Sequence, residues 1–339
     1  MVDVLVIGGG MAGVSIAYEL AAHASVTLLE AEPELAMHTT GRSAAIYAPS
    51  YGPPTVRELT TASGPLFGDG ILTPHHSLWL ALDDDGVDHL RDIPADPITP
   101  QRAVELCPVL RTPLAAALDT SAMDIDVMAL HAHYVRGLKK RGGVTHKNTR
   151  VTEMRRDGDG WVVNGIRTDT VVDAAGAWAD EVAELAGVPT VGLQPMRRTI
   201  ALARADADPA WPLVAEVADT FYFRPESGHL LISPGDETPS VPCDAKPDEQ
   251  DVAIALERVN AATTLNLRSV HTAWAGLRTF VPDREPVVGA WPDHPGFVFF
   301  AGQGGYGIQM APALARTGAD IVLGRTPPSP IMSPRRKHG

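Results

Sequence analysis

An α/β fold with an inserted, mainly antiparallel α+β unit is predicted by three features of this chain. An apolar strand, Val4-Leu5-Val6-Ile7, enters the turn Gly8-Gly9-Gly10-Met11-Ala12-Gly13, and a second apolar strand ends at Glu30. A long stretch of strand patterns then occupies the middle, and another strand enters a second glycine-rich turn at 302–307.

The opening segment meets the physical demands of dinucleotide binding. Gly8 permits the tight turn, Gly10 lets the backbone approach a pyrophosphate, and Gly13 lets the next helix pack closely on the strand. That helix, over residues 11–23, aims its N-terminal N–H groups at phosphates. Glu30 stands about 20 residues further on, where a carboxylate accepts hydrogen bonds from ribose hydroxyls. Strand, turn, helix, strand and terminal acid in this order form a Rossmann-like unit.

The remaining elements follow from period and punctuation. A loop rich in small and hydroxyl residues, Thr39-Thr40-Gly41-Arg42-Ser43-Ala44-Ala45, precedes a helix over 54–67 and a strand over 75–82 that ends in an acidic turn at 83–86. Asp126 opens a helix, two short strands follow around 151–155 and 161–164, and an apolar strand enters the small-residue turn Ala174-Ala175-Gly176-Ala177-Trp178. Strands predominate from 192 to 280, with one helix around 250–262. The last strand, 296–301, leads through the second glycine turn straight into a helix ending near 323.

Composition narrows the function classes. The 339 residues allow two compact domains, with 45% apolar and 20% charged residues as in ordinary globular enzymes. A formal charge of −13 argues against nucleic acid or an anionic membrane surface as partner. Cys107 and Cys243 are too few and too far apart for a disulfide framework or a zinc site, so no metal and a cytoplasmic setting are expected. The first strand begins too early for a signal peptide, and the apolar stretch 14–24 carries Glu19 and is too short for a membrane span. The basic end, Arg335-Arg336-Lys337-His338, reads as solvated and frayed.

The second glycine turn lacks the strand and terminal acid of a second dinucleotide site, because one helix and a Pro-rich tail follow it. It suits the far end of a single extended cofactor. Isoalloxazine fits, since negative charge develops near N1 and the C2 carbonyl on reduction, where a helix N-terminus stabilises it.

Five ordered motifs now carry a resemblance: the opening fingerprint, Thr40-Gly41-Arg42-Ser43-Ala44-Ala45, Ala174-Ala175-Gly176-Ala177-Trp178, Trp274-Ala275-Gly276-Leu277-Arg278 and Gly302-Gln303-Gly304-Gly305-Tyr306-Gly307-Ile308-Gln309. Together they resemble the D-amino-acid-oxidase superfamily of FAD-dependent amine oxidoreductases, and most of all its bacterial D-arginine dehydrogenases, over nearly the whole chain. The resemblance implies an FAD-binding Rossmann-like domain (GR2 type) from residues 1–50, 126–190 and 270–339, and a substrate domain from 51–125 and 191–269.

It also implies roles. Gly8, Gly10, Met11 and Gly13 would lie under the pyrophosphate and Glu30 on the ribose. Arg42, Ser43 and Ala44 would run along the flavin side, and Val151 would meet adenine through its backbone. Ala175, Gly176, Trp178 and Gly276 would line the groove, while Gly304, Gly305, Tyr306, Gly307, Ile308 and Gln309 would hold the flavin's pyrimidine edge. No cysteine follows Cys243, so FAD is expected to be non-covalent.

Arg198 and Arg278 match arginines that clamp the substrate carboxylate, a task suited to a planar, permanently charged fork. Arg197 would point to the opposite strand face and into solvent. Tyr51 and Tyr222 match tyrosines that hydrogen-bond the substrate, and hydride transfer from Cα to flavin N5 is implied, with either phenol or water accepting the ammonium proton. Three positions depart from the dehydrogenases: Ile46 replaces a histidine, Ala48 a threonine, and Ser77 the glutamate that holds a basic side chain. With Leu213 they predict a pocket for an uncharged amino acid, of D configuration, or a secondary amine acid. His75, on the strand face of Ser77, is a further candidate contact. Oxygen or a quinone-type carrier would reoxidise the flavin. The rival readings are a nicotinamide-dependent dehydrogenase and a non-catalytic flavoprotein subunit.

Overall fold

The computed structural model describes residues 2–336 and contains three sheets. In the first, Val2–Ile7 lies between Ile166–Asp173 and Val26–Leu29 and is parallel to both, with Val144–His146 beyond Val26–Leu29. Phe297–Ala301 joins the C-terminal half of Ile166–Asp173 in parallel, and Val287–Ala290 pairs antiparallel to it. These strands are near-continuous apolar runs because helices cover both faces. Met11–Leu20, Val127–Lys140 and Ala311–Val322 bury Ile16, Leu130 and Leu314 on one side, and Ala183 packs with Trp161 and Phe297 on the other.

Register brings the two loops of the fingerprint region together. Ile7 pairs with Asp173, so Gly8 and Ala174 leave the sheet side by side. Gly8 has φ 105°, and a Cβ there would overlap the Ala174 carbonyl. A side chain is excluded on both counts.

The second sheet has nine strands, antiparallel except where Leu213–Glu216 runs parallel to Ser77–Ala81. Its register pairs Ser77 with Leu213, Ala215 with both Trp79 and Tyr222, Arg198 with Gly276, and Met196 with Arg278. Strand alternation therefore puts Arg198 and Arg278 on one face, two residues apart along the ladder. A small third sheet, Ile46–Tyr47 with Met123–Ile125 and Leu72–Pro74, closes the edge of the cavity between the larger two.

Several expectations change. The acidic run at 83–86 is a helix start: Asp83 caps the helix Asp84–Leu90 by accepting a hydrogen bond from the Gly86 N–H, and Asp84 and Asp85 suit the positive end of its dipole. The second glycine turn does not open a helix directly. Gly302 and Gly304 hold φ 65° and 55°, which cannot continue into a helix, and Ala311–Val322 begins only where Pro312 fits the first turn. Arg197 is not solvated, because its guanidinium pairs with Asp251 at 2.8 Å against the helix Glu249–Ala262.

At the basic end, Arg336 donates to Asp283 and to the Glu285 carbonyl, with a side chain only 8% exposed. Lys337 and His338 lie outside the described residues. Val270–Phe280 pairs with Gln194–Ala203 in the second sheet, while the helix Pro54–Ser63 packs on Ala311–Val322 in the first core. Among the described residues no helix is long and apolar enough to cross a membrane.

Candidate active site

One cavity of about 620 Å³ runs from the first glycine turn, between the two large sheets, to the second glycine turn. Its first end is the start of the helix Met11–Leu20, where Gly10 occupies the cap without a side-chain cap. The Met11 N–H donates to Thr40 Oγ1, but the N–H groups of Gly10 and Ala12 find no acceptor among the described residues. Glu30 walls this end. It accepts from the Gly9 N–H at 2.7 Å and the Glu32 N–H at 2.8 Å, one on each oxygen, which leaves each oxygen a lone pair. His131 fixes the turn from the neighbouring helix: its Nε2–H donates to the Gly9 carbonyl at 2.9 Å, and burial lowers its pKa, favouring the neutral ring.

At the other end Gly304, Gly305, Gly307, Ile308 and Gln309 line the cavity. The N–H groups of Gly305, Gly307, Ile308 and Gln309 have no acceptor among the described residues. Gln309 is anchored instead by its side chain, whose Oε1 accepts from the Ala48 N–H at 3.2 Å. Two sets of unpaired backbone donors thus face one continuous groove. Gly305 is exposed and Gly10, Ala12, Gly307 and Ile308 are half-buried, so an acceptor entering the groove can reach both sets.

Between the ends, Ser43, Ala44, Val151, Ala175, Gly176 and Trp178 line the groove, and Gly276 does so from the second sheet. Gly176 has φ 58° and open space where a Cβ would be. Arg42 also lines it, yet its guanidinium is turned away, donating to the carbonyls of Met37, Ala245 and Ala275 and pairing with Asp244. Two predicted cofactor residues stand behind the wall. Gly13 lies against the Gly8 carbonyl with no room for a Cβ, and Tyr306 packs on Tyr51 and Phe280.

The second sheet supplies the floor next to the 304–309 turn. Ser77, Leu213 and Tyr222 line it, Trp79 and Ala215 join them through the strand register, and Ile46 and Ala48 line the cavity beside it. His75 does not: its Nδ1 meets Asp124 and its Nε2 the Trp211 carbonyl, both at 2.8 Å.

Arg198 and Arg278 converge here with side chains only 7% and 8% exposed. Arg278 lies flat on Gly305, where any Cβ would overlap the guanidinium, and donates to the Tyr51 hydroxyl at 2.8 Å. Sequence reasoning missed the acids that face them. Asp219 Oδ2 accepts from Arg198 at 3.0 Å and from the Tyr51 hydroxyl at 3.3 Å, while Glu237 accepts from Arg278 at 3.2 Å and holds Arg284 in a two-pronged pair. Burial pushes the Asp219 pKa up, but Arg198 and Arg278 more than reverse this and hold it below the usual carboxylate range. For Arg278 burial disfavours the charge, and Tyr51, Asp219 and Glu237 restore it, raising the pKa above its ordinary value. Burial raises the Tyr51 pKa, so its phenol stays protonated.

Missed too was Asp173, fully buried at the end of its strand. Its Oδ1 accepts from the Ala175 N–H, and burial raises its pKa well above normal. The signal in both cases is three-dimensional, because nothing in local spacing marks Asp219 or Asp173 as more than a turn or strand-end acid.

The fold and this groove define a protein built to take an extended dinucleotide, and comparison with known proteins supplies the class. The family model described as FAD dependent oxidoreductase matches residues 3–321, and the chain belongs to that family. The family is FAD-dependent, and the unpaired donors at both ends of the groove fit such an extended cofactor. Among curated relatives, the chain is 34% identical to FAD-dependent oxidoreductase domain-containing protein 1 of Bos taurus over 45% of this chain and 35% of that protein. It is 29% identical to glycine oxidase of Pseudomonas aeruginosa over 54% of this chain and 50% of that one. These matches thus span a third to a half of the relatives' length. Among solved structures, L-proline dehydrogenase from P. horikoshii superposes with TM-score 0.88 at 22% identity, over 98% of this chain and 96% of that one, a likeness of fold.

Proposed function

We propose that this chain binds FAD non-covalently and oxidises an α-amino acid or secondary amine acid with an uncharged side chain to its imino acid, the D series being the first to test. The observation that carries this reading is the pair Arg198 and Arg278, buried and charged on one sheet face beside the 304–309 turn. Buried guanidinium forks that line a cavity suit a substrate carboxylate, which accepts two parallel hydrogen bonds.

The unpaired N–H groups at Gly10 and Ala12 would take the pyrophosphate, with Gly8 and Met11 shaping the turn and Gly13 seating the helix. Glu30 would take the ribose, and Val151 the adenine side. Ser43, Ala44, Ala175, Gly176, Trp178 and Gly276 would bound the groove, with Arg42 and Tyr306 supporting it from behind. The donors of Gly305, Gly307, Ile308 and Gln309 would meet the pyrimidine edge of the flavin. When bound, FAD supplies the acceptor for the hydride that leaves the substrate Cα.

The chain's own contribution is positioning and charge. Arg278 and Arg198 fix the carboxylate, and Tyr51 and Tyr222 orient the substrate beside Gly305. Tyr51 is a donor in this arrangement, since its protonated hydroxyl is turned to Asp219, which leaves Tyr222 or water to take the ammonium proton. Ile46, Ala48, Ser77 and Leu213 offer no charge to a cationic side chain, whose burial unpaired would be costly. Oxygen or a quinone-type carrier completes the cycle.

The test is anaerobic bleaching of the purified yellow protein by a panel of D-, L- and N-methyl amino acids with neutral side chains. Bleaching by at least one, and none by D-arginine, is expected. Silence towards the whole panel would leave a flavoprotein without this activity.

A further inference from the structure

The two clamp arginines meet an internal carboxylate that occupies part of their binding capacity. Asp219 sits in the tight turn between Leu213–Glu216 and Tyr222–Glu226 with φ 57°, a left-handed backbone that Asn, Asp and Gly tolerate best. From there its side chain enters the cavity, with 35% of it still exposed to that space. Oδ2 lies 3.0 Å from Arg198 and 3.5 Å from Arg278, whereas Oδ1 accepts no hydrogen bond among the described residues.

The charges around it can be followed one by one. Arg198, Arg278 and Arg284 face the carboxylates Asp219 and Glu237, three positive groups against two negative ones. Asp236 accepts from Arg198 through its backbone carbonyl, and its carboxyl, held by Thr199, feels Arg198 only at longer range. Among the direct ion pairs one positive charge is left over. Without Asp219 two would remain, on neighbouring guanidinium groups sharing one face of the sheet.

From this geometry we infer that Asp219 is a specificity-determining residue, an internal carboxylate that leaves the arginine pair able to neutralise one substrate carboxylate and not two. This rests on the reading that Arg198 and Arg278 hold a substrate carboxylate. A dicarboxylate would put its second anionic group against Asp219 and find no free guanidinium to compensate. The substrate class is thereby narrowed to monocarboxylic amino acids or monocarboxylic secondary amines.

The experiment titrates the flavin-loaded protein with acetate and with malonate, following perturbation of the flavin absorption band, a binding readout independent of turnover. Wild type is expected to bind acetate at least tenfold tighter than malonate. In Asp219→Asn, which is isosteric, neutral and compatible with φ 57°, malonate should gain at least tenfold relative to acetate. Asp219→Gly, which also suits the turn, should do the same. A preference for malonate over acetate already in wild type would overturn the inference, as would an acetate-to-malonate ratio within twofold of wild type in both variants. Silence of both ligands in all three proteins would overturn it too. The two readings separate cleanly: a tenfold shift of the acetate-to-malonate ratio in the variants without bleaching by any amino acid removes the proposed activity and keeps this inference, whereas bleaching without that shift does the opposite.

Discussion

Arg278 ties several parts of the site together, lying on Gly305, donating to Tyr51 and facing both Asp219 and Glu237. Its removal deletes a buried charged partner and leaves Asp219 and Glu237 less compensated. Arg278→Ala should therefore raise the apparent substrate constant roughly a hundredfold, about 3 kcal/mol, while the flavin stays bound. Steady-state kinetics beside the visible spectrum check this, and unchanged kinetics would remove the arginine's assigned role. Gly305 makes the same point from the opposite side. A Cβ there must displace the guanidinium, so Gly305→Ala should weaken carboxylate binding by about tenfold with normal flavin content, read by acetate titration. A variant binding acetate like wild type would show that Arg278 can shift freely.

At the scale of elements, legibility followed locality. The strand before Gly8, the helix opened by Asp126 and the helix around 250–262 were readable, because their apolar period and, at Asp126, the capping residue lie within a few positions of one another. The cofactor groove was largely readable for the same reason: Gly10, Glu30 and Gly304 belong to short motifs, and they line one cavity. The acidic run at 83–86 misled because Asp suits both turns and helix caps, and only the chain after it decides which. Asp219 and Glu237 were invisible because their partners are distant in sequence and are brought near by the ladders of the second sheet, where Gln194–Ala203 pairs with His229–Ser233 and Val270–Phe280.

His75 is another such case. Both of its nitrogens face acceptors, the Asp124 carboxylate and the Trp211 carbonyl, an arrangement that favours the imidazolium form, which can donate to both. The Asp124 bond, aided by Trp211 and opposed by burial, raises its pKa. A histidine pKa raised on folding adds stability that is complete below the unfolded value, about 6.5, and is lost as pH rises through the folded value. His75→Gln should then cost about 2 kcal/mol at pH 5.5 and markedly less at pH 9 in urea unfolding. An equal cost at both values would mean that the ring is neutral throughout.

Across the whole molecule the groove joins what the chain separates most widely. Gly8–Met11 and Glu30 belong to its beginning and Gly304–Gln309 to its last part, and the walls between come from both large sheets. A cofactor spanning that groove contacts a surface complete only in the folded state, so its binding free energy adds to folding stability. Cys107 is buried, its thiol pushed up to about 12 by burial, and Cys243 lies outside the groove, so neither is placed to attach FAD covalently. Denaturation should therefore release all of the yellow colour through a filter that retains the protein. Apoprotein prepared without denaturation should melt at least about 4 °C below holoprotein, as expected for ligand held at roughly a hundred times its dissociation constant. Adding back FAD should restore the melting temperature, and Glu30→Ala should require more FAD for the same recovery. Colour that stays with the denatured chain would contradict non-covalent binding. A melting temperature indifferent to FAD would mean that the cofactor does not bridge the two ends of the groove.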